Sequence, residues 1–595
     1  MSILLPVFIP LICACGILIT GRKYSAYNKV WAGAGAVGAL LGVIVLFLTP
    51  FSMFYLNWCE SILTFSLSAG AFDKAALAAL TVFAVLIYVY SLKSNIEHER
   101  WFFFSFLFTL AFACGAVLAD NLVLMLFFWE GLLISLYVFI VINKNGQSTA
   151  FKAFMINVVG DILLLAGIIL TGYAAKTFDS NAIVLAPISM QTGLGMGAFL
   201  LIMLGALSKA GAVPFHSWIP EAAANTNVPM MALLPASFEK VLAVFLMGKA
   251  VTMFNVSVLP NGADFLIVAG IISILPAAFL ILKETDLKKF IAYNIILQIG
   301  LLAFEHGATM GGDIMALLNH GIYKAAALAC LFLCAGAVEE AAGTTDTNKL
   351  GGLFKNMKVV AVSFIIASAA LCKVTFLDIF FSSNYNGLNQ HHIGFIIFMA
   401  VINLLVLFSF VRVIINVFFV KGTVGFTRPH FTKTIIPAVF AFVVFLYSIG
   451  WVLDENNLLN LAHAHFSFTW ISGLSFVVII MAGGLFFAGF KKHGLRFAAG
   501  IVNNAPVIKQ INKFNSSHLS DFYENIKKAA KFISKALFKT DRIMDFIIDD
   551  IPSTVSKGFS KAGSALHTGY SFSYIIWAVI GGLVFAIISI SGGWM

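Results

Sequence analysis

Apolar residues in this chain fall into long runs separated by short polar segments. A membrane-spanning helix needs about 20 predominantly apolar residues. On that criterion the sequence predicts sixteen spans, at 1–20, 30–50, 74–93, 101–119, 121–142, 153–175, 193–212, 228–254, 263–283, 287–305, 313–337, 359–382, 393–420, 434–453, 467–490 and 571–592. The pattern therefore predicts an all-α polytopic membrane protein.

Composition agrees with that architecture and limits the chemistry of the chain. Of its 595 residues 60% are hydrophobic and 11% are charged, which is far more apolar than a soluble core requires. The seven cysteines form no CxxC pair, and no phosphate loop, dinucleotide fingerprint or iron–sulfur spacing occurs. We therefore expect no cofactor and no metal on this chain, so that any redox chemistry belongs to other chains.

Lysine and arginine are distributed unevenly between the two sides of the predicted membrane. Loops after odd-numbered spans carry nineteen of them, whereas loops after even-numbered spans carry three. Because cytoplasmic loops are enriched in these residues, both termini are expected to face outward. The net charge of +10 then follows from topology, and no nucleic-acid partner is indicated.

A basic amphipathic segment lies between spans fifteen and sixteen. Its apolar residues recur at three- and four-residue steps with lysines between them: Leu519, Phe522, Ile526, Ala530, Ile533 and Leu537. This spacing predicts a helix from about Ser517 to Ile551, stopped by Pro552 and lying along the cytoplasmic surface. A generic lipid-bound helix and a helix that also touches a neighbouring subunit both fit the pattern.

Ten ionisable side chains lie within the predicted spans, where a charge costs about 2.5–3.5 kcal/mol even on the lenient insertion scale. They are Lys209, Lys240, Lys324, Lys373, Arg412, Glu130, Asp161, Glu239, Asp378 and His320. Each must be paired or solvated to be tolerated. A polar path through the protein is therefore the simplest interpretation.

Two carboxylates in this set have both functional and structural interpretations. Glu130 lies near the middle of span five, where it can keep a nearby lysine charged; loss of that partner favours the neutral amine. A Glu–Lys pair therefore acts as a switch, and ion-pair contact between helices is the structural alternative. Asp161 follows Gly160, and a glycine permits two helices to approach closely. A structural role of Asp161 in hydrogen bonding between helices is therefore as well supported as a role in the polar path.

Spacing relates the remaining residues to one another. His320 and Lys324 are four residues apart and share a helix face. Because histidine titrates near neutral pH, this pair can pass a proton along that face, although a lone buried histidine is more often structural. Glu239 and Lys240 are consecutive, about 100° apart around a helix, and are not expected to pair with each other.

Five motifs together resemble those of the antiporter-like subunits of respiratory complex I, membrane-bound hydrogenases and Mrp-type cation/proton antiporters. They are FFWEGLLISLY, VVGDILLLAG, SKAGAVPFHSWIPEA, DLKKFIAYNIILQIGLLAF and NHGIYKAAALACLFLCAGAV. The similarity covers roughly residues 60–420, and the order and spacing of the motifs make it specific. The long amphipathic helix before a final span further resembles the large distal member of this family.

The resemblance implies two inverted five-helix repeats, each with a broken helix near its ion site. The chain then divides into N-terminal helices, a first repeat, a second repeat, C-terminal helices, the lateral helix and a final span, at 1–100, 101–255, 263–421, 433–490, 505–566 and 571–592. It also implies a glutamate–lysine pair, a central lysine and a histidine–lysine pair, which map onto Glu130 and Lys209, Lys240, and His320 and Lys324. Asp161 matches an acidic position of the sixth span.

The sequence departs from the family pattern at two places. In span eight, Pro235 replaces a histidine that is often found there, and Glu239 is added. In span twelve, Ser383 stands where an exit lysine or glutamate is expected. We expect Lys373, paired with Asp378, to take over that role.

These observations predict a proton-translocating, non-redox subunit of a redox-driven complex in the cytoplasmic membrane. Its expected partners are other membrane subunits, lipid, and separate redox chains carrying iron–sulfur clusters, with nickel–iron or flavin centres as further candidates. Sodium requires oxygen ligands, whereas lysine and histidine dominate this path, which favours protons. The two alternatives are a sodium/proton antiporter chain of the Mrp type and a structural scaffold with an inactive ion path.

Overall fold

The apolar runs of the sequence fold into long helices. The structure, a computed structural model, describes residues 2–20, 25–49, 52–59, 63–254, 260–308, 314–372, 393–420, 424–425, 427–453, 522–566 and 569–590. Within those residues, twelve helices are long and apolar enough to cross a membrane. The all-α polytopic architecture is therefore confirmed, while the number of sixteen spans stays a prediction. The fifteenth, 467–490, lies outside the described residues.

The first compact unit extends from Met1 to Tyr523. Its first half contains a β-hairpin and eleven helices, namely α1 Leu5–Thr20, α2 Ser25–Phe47, β1 Ser52–Cys59, β2 Leu63–Ala69, α3 Ala71–Ser91, α4 Glu99–Leu118, α5 Leu122–Val141, α6 Gln147–Ala175, α7 Ser180–Leu185, α8 Gly193–Lys209, α9 Trp218–Asn225, α10 Val228–Leu233 and α11 Glu239–Met253. Its second half continues with α12 Pro260–Lys283, α13 Leu287–Ala308, α14 Ile314–Ala342, α15 Lys358–Leu371, α16 Ile393–Ile414 and α17 Phe431–Leu453. The division into two inverted repeats stays a prediction.

The hairpin of β1 and β2 is an element that the sequence pattern did not predict. Its antiparallel register pairs Ser52 with Ala69 and Phe54 with Leu67. Leu67 is also bridged to Ala119 at the end of α4, which joins the hairpin to the helices. Apolar and polar residues alternate along β2, which is the pattern of a β-strand, and the segment is too short for a membrane-spanning helix.

The predicted eighth span is one helix, Val228–Met253, that contains a π-turn. The π-turn, Leu234–Phe238, separates α10 from α11 and contains Pro235. Proline cannot donate a main-chain hydrogen bond, so that a carbonyl of the preceding turn loses its partner. In the same turn, the Ser237 hydroxyl donates to the carbonyls of Ala232 and Leu233 at 2.7 Å each.

Close helix packing positions the buried charges. Helix α6 packs against α8, and α11 packs against both α8 and α14. Gly160 is one of the glycines that allow α6 to approach α8 closely, since a Cβ atom there would lie 2.0 Å from Ser208 Oγ. The predicted function of Gly160 in close helix approach is confirmed.

The second compact unit is Glu524–Met595. All of its described residues are helical except residues 569–570. Its helices are α18 Phe522–Asp545, whose first two residues belong to the first unit, α19 Ile551–Leu566 and α20 Ser571–Ile590, with a π-turn, Phe546–Asp550, between the first two. The predicted stop at Pro552 was wrong: this proline lies in the first turn of α19, where its missing N–H is tolerated, and the helix continues to Leu566.

Candidate ion-translocation site

The first cluster of buried charges forms where α8 ends. The helix ends on Lys209, and the chain then turns through Gly211, whose φ of +78° is a left-handed conformation that glycine adopts without steric cost. Pro214 follows and prevents the helix from resuming at once. This break leaves the buried Lys209 side chain at a helix C-terminus, where the helix dipole favours a cation.

Lys209 forms an ion pair with Asp161 of α6. Its Nζ lies 3.6 Å from Asp161 Oδ2, and the two side chains are 0% and 4% exposed. Trp129 of α5 contacts both partners: its Nε1 donates to Asp161 Oδ1 at 3.1 Å, and its carbonyl accepts from Lys209 Nζ at 3.5 Å. The indole ring also lies 5.5 Å from that Nζ. Such contacts offset the cost of removing two charges from water.

Glu130, the expected partner of Lys209, acts on this pair from a longer distance. It is half-buried on α5, and its charge interacts with those of Asp161 and Lys209. The direct Glu130–Lys209 pair of the sequence prediction is replaced by the Asp161–Lys209 pair. The physical reason is the close packing at Gly160, which brings the next residue of α6 to the end of the lysine side chain.

Glu239 belongs to this first cluster and not to Lys240, its neighbour in sequence. It is 1% exposed, and its charge interacts with those of Lys209 and Asp161. Its Oε1 atom has no hydrogen-bond partner within the described part of the chain. As expected for consecutive helical residues, Glu239 and Lys240 face different neighbours.

The second cluster surrounds Lys240. This fully buried lysine donates from Nζ to the carbonyl of Ile295 on α13 at 3.2 Å, and its charge interacts with that of Lys324 on α14. Glu305 Oε2 lies 3.7 Å from Lys324 Nζ and 3.1 Å from His320 Nδ1. The predicted common helix face of His320 and Lys324 is confirmed, because both side chains reach the same carboxylate oxygen.

Sequence reasoning missed Glu305. It is the last residue of the predicted tenth span, where an acid is easily assigned to the following polar loop. In the structure α13 continues to Ala308, so that Glu305 lies inside the helix with a side chain that is 13% exposed. One feature of the sequence could have indicated that Glu305 lies inside the helix. The apolar run continues up to this acid, and no glycine, proline or asparagine stands directly before it to end the helix.

The family model decides what kind of membrane protein carries these clusters. Residues 119–412 match the family described as NADH:quinone oxidoreductase/Mrp antiporter, transmembrane. This matched region of the chain is antiporter-like. Both clusters, from Trp129 to Lys324, lie inside the matched region.

Three relatives of this antiporter-like chain come from bacteria. A probable K(+)/H(+) antiporter subunit of Rhizobium meliloti is 29% identical over 59% of this chain and 36% of its own length. An NADH-quinone oxidoreductase subunit of Pseudomonas aeruginosa is 29% identical over 54% of this chain and 52% of its own length. A Na(+)/H(+) antiporter subunit of Staphylococcus saprophyticus is 26% identical over 82% of this chain and 61% of its own length. The chain thus spans between about a third and two thirds of these relatives.

Two solved structures share the fold of the antiporter-like chain. A chain of the Mrp complex from Dietzia sp. superposes with a TM-score of 0.67 at 15% identity, over 83% of this chain and 98% of that chain. A chain of the membrane-bound sulfane sulfur reductase, an archaeal respiratory membrane complex, superposes with a TM-score of 0.65 at 18% identity, over 80% and 97%. At these identities the likeness concerns the fold alone.

Two expected site residues are not placed. Lys373 and Asp378, together with Ser383, lie outside the described residues. Of the side chains that are described, no three His, Cys, Asp or Glu residues are grouped so that they could hold a metal ion.

Proposed function

We propose that this antiporter-like chain moves protons across the membrane as a non-redox subunit of a redox-driven complex. The observation that carries the proposal is the pair of buried lysines, Lys209 and Lys240, on the adjacent helices α8 and α11. A buried lysine can exist as an ammonium or as a neutral amine, depending on nearby charges. Each lysine therefore has the chemistry of a proton carrier.

The proposed path starts at the first cluster and ends beyond the second. Glu130 and Asp161 control the charge of Lys209, and the proton then moves to Lys240. From Lys240 it passes to the group formed by Lys324, Glu305 and His320. Lys373 and Asp378 are proposed as the exit.

Assembly, location and orientation are also proposals. The chain would lie in the cytoplasmic membrane with both termini outside and its amphipathic helix on the cytoplasmic side. Its partners would be further membrane subunits, lipid, and redox chains that carry iron–sulfur clusters with nickel–iron or flavin centres. Relatives are named as subunits of NADH-quinone oxidoreductase, which supports a membrane complex of several chains.

Membership of an Mrp-type antiporter is the second candidate. Two of the relatives are named as K(+)/H(+) and Na(+)/H(+) antiporter subunits, which favours it. Mass spectrometry of the intact purified complex distinguishes the two functions. Redox subunits among the partners support the first candidate, and an assembly of membrane subunits alone supports the second.

The lysine of the first cluster provides the functional test. Lys209→Ala and Lys209→Arg are introduced into the complete complex, and proton uptake is measured in vesicles with a pH-sensitive dye. Both variants should reduce uptake to the level of vesicles without the complex. Arginine retains the charge and an ion pair with Asp161, but it does not release a proton. Loss of uptake in Lys209→Arg would therefore show that Lys209 transfers a proton and does not only stabilise the structure through its charge.

Lys249 supplies the matched control. It lies on α11, nine residues after Lys240, and pairs with Asp73 at 3.3 Å outside both clusters. Lys249→Ala should transport like the parent. Normal uptake by an assembled Lys209→Arg complex would disprove the proposed function.

A further inference from the structure

The first cluster contains more carboxyl groups than its lysine can neutralise. Glu130, Asp161 and Glu239 all interact electrostatically with Lys209. Three ionised carboxylates beside one ammonium would leave two uncompensated negative charges at a buried site. Such charge is costly away from water, and protonation is the usual way in which it is removed.

Glu239 is the member of this cluster that is best suited to hold an extra proton. Asp161 already accepts from Trp129 and lies within ion-pair distance of Lys209. Glu130 is only half-buried. Glu239 is 1% exposed, and its Oε1 makes no hydrogen bond among the described residues. Of the three carboxylates, an ionised Glu239 would therefore be the one least stabilised by water or hydrogen bonds.

The position of Glu239 in the fold links the two clusters. It is the first residue of α11, directly after the π-turn, and its charge interacts with those of Lys209 and Asp161. The next residue, Lys240, points toward Ile295 on α13. Helix α11 packs against both α8 and α14. Two consecutive residues, Glu239 and Lys240, therefore lie in the surroundings of Lys209 and of Lys324, respectively.

We propose that Glu239 carries the proton between Lys209 and Lys240. This inference rests on the proposed function and adds a specific carrier to it. In the transfer, the O–H bond of the Glu239 carboxyl breaks and an N–H bond forms on the neutral amine of Lys240. Because the two side chains face different neighbours, the proton passes between them through a water molecule that accepts one proton and donates another. The products are a carboxylate and an ammonium group. The Lys209 ammonium then returns a proton to Glu239 and becomes a neutral amine, so that charge and protons balance.

Glu239→Gln tests the proposal, because it keeps the shape of the side chain and removes the exchangeable proton. In the complete complex, uptake should fall by about a hundredfold, as expected when a required proton-transfer group is lost. Glu99→Gln is the control, since it removes a carboxyl from the half-exposed Lys29–Glu99 ion pair. This control should transport like the parent.

Glu239→Asp provides a second readout if the glutamine variant does not assemble. Aspartate keeps a carboxyl but withdraws it by one methylene, so that proton transfer through it should become rate-limiting. We expect a slower uptake with a larger solvent deuterium isotope effect than in the parent. A purely structural role for Glu239 would not change the isotope effect.

The outcomes separate this proposal from the proposed function. If Glu239→Gln transports normally while Lys209→Arg is inactive, Glu239 is not a carrier and the proposed function stands. If both variants transport normally, both proposals fail. If the glutamine variant does not assemble, an unchanged rate and isotope effect in Glu239→Asp overturns the carrier role.

Discussion

Individual residues decide how this protein keeps charges inside an apolar structure. Lys209 has a carboxylate, a main-chain carbonyl and an indole ring around its ammonium group, all within the distances that such contacts require. A single oxygen of Glu305 contacts both the Lys324 ammonium group and the His320 imidazole. Glu239, in contrast, contributes a buried carboxyl with an oxygen that lacks a hydrogen bond in the described structure.

The partner of Lys209 can be identified by comparing two substitutions. Asp161→Asn breaks a buried ion pair and should destabilise the protein by about 3 kcal/mol. Glu130→Gln removes a half-buried carboxyl outside that pair and should cost less than about 1 kcal/mol. The melting temperature of the purified complex, followed by fluorescence, should therefore be clearly lower for Asp161→Asn than for Glu130→Gln. An equal effect of the two variants would contradict the assignment of Asp161 as the partner.

At the scale of elements, breaks in helices place the functional groups. Lys209 ends α8 before Gly211 and Pro214, and Glu239 starts α11 after a π-turn that contains Pro235. π-Turns occur frequently at functional sites. Pro235 thus coincides with a change in helix geometry immediately before Glu239.

Packing between α6 and α8 is the second determinant at this scale. Gly160→Ala would place a Cβ atom 2.0 Å from Ser208 Oγ and 2.4 Å from Ser208 Cβ. We expect a loss of about 1–3 kcal/mol from overpacking, together with lower proton uptake because the Asp161–Lys209 pair is displaced. Melting temperature and uptake should be measured on the same preparation.

A second substitution makes this packing prediction specific. Ser208→Gly removes both clashing atoms, so that the double variant should be more stable than the sum of the single effects predicts. Gly197→Ala on α8 is the control, since its nearest neighbour would be Leu170 Cδ1 at 3.9 Å, an ordinary contact. Additive effects of Gly160→Ala and Ser208→Gly would contradict the proposed contact.

At the scale of the whole molecule, the distribution of lysine and arginine predicts which loops face the cytoplasm. Asn145 and Gln191 are exposed residues in loops on opposite sides of the predicted membrane, before α6 and before α8. A membrane-impermeant maleimide should label Asn145→Cys only from the cytoplasmic side and Gln191→Cys only from outside. The parent chain measures background labelling of its own cysteines. Labelling of both positions from one side would disprove the predicted topology.

The sequence by itself determined the all-α membrane architecture and selected the candidate site residues other than Glu305. Long apolar runs can satisfy their main-chain hydrogen bonds in a membrane only as helices or closed barrels, so that run length predicted the helices directly. The cost of intramembrane charge then selected Lys209, Lys240, Lys324 and the acids near them. The order of five motifs indicated the antiporter-like family, and the family model over residues 119–412 bears this out.

Tertiary structure alone decided which of these charges meet. One-dimensional spacing cannot distinguish Asp161 from Glu130 as the partner of Lys209, because the choice depends on how closely α6 approaches α8 at Gly160. The same limit applies to Glu305, which lies at the end of a span in sequence and beside His320 and Lys324 in space. The hydrophobic pattern of a sequence predicts which residues are buried. Ion pairing depends instead on distances of a few ångströms between side chains of different helices, and only the tertiary structure sets those distances.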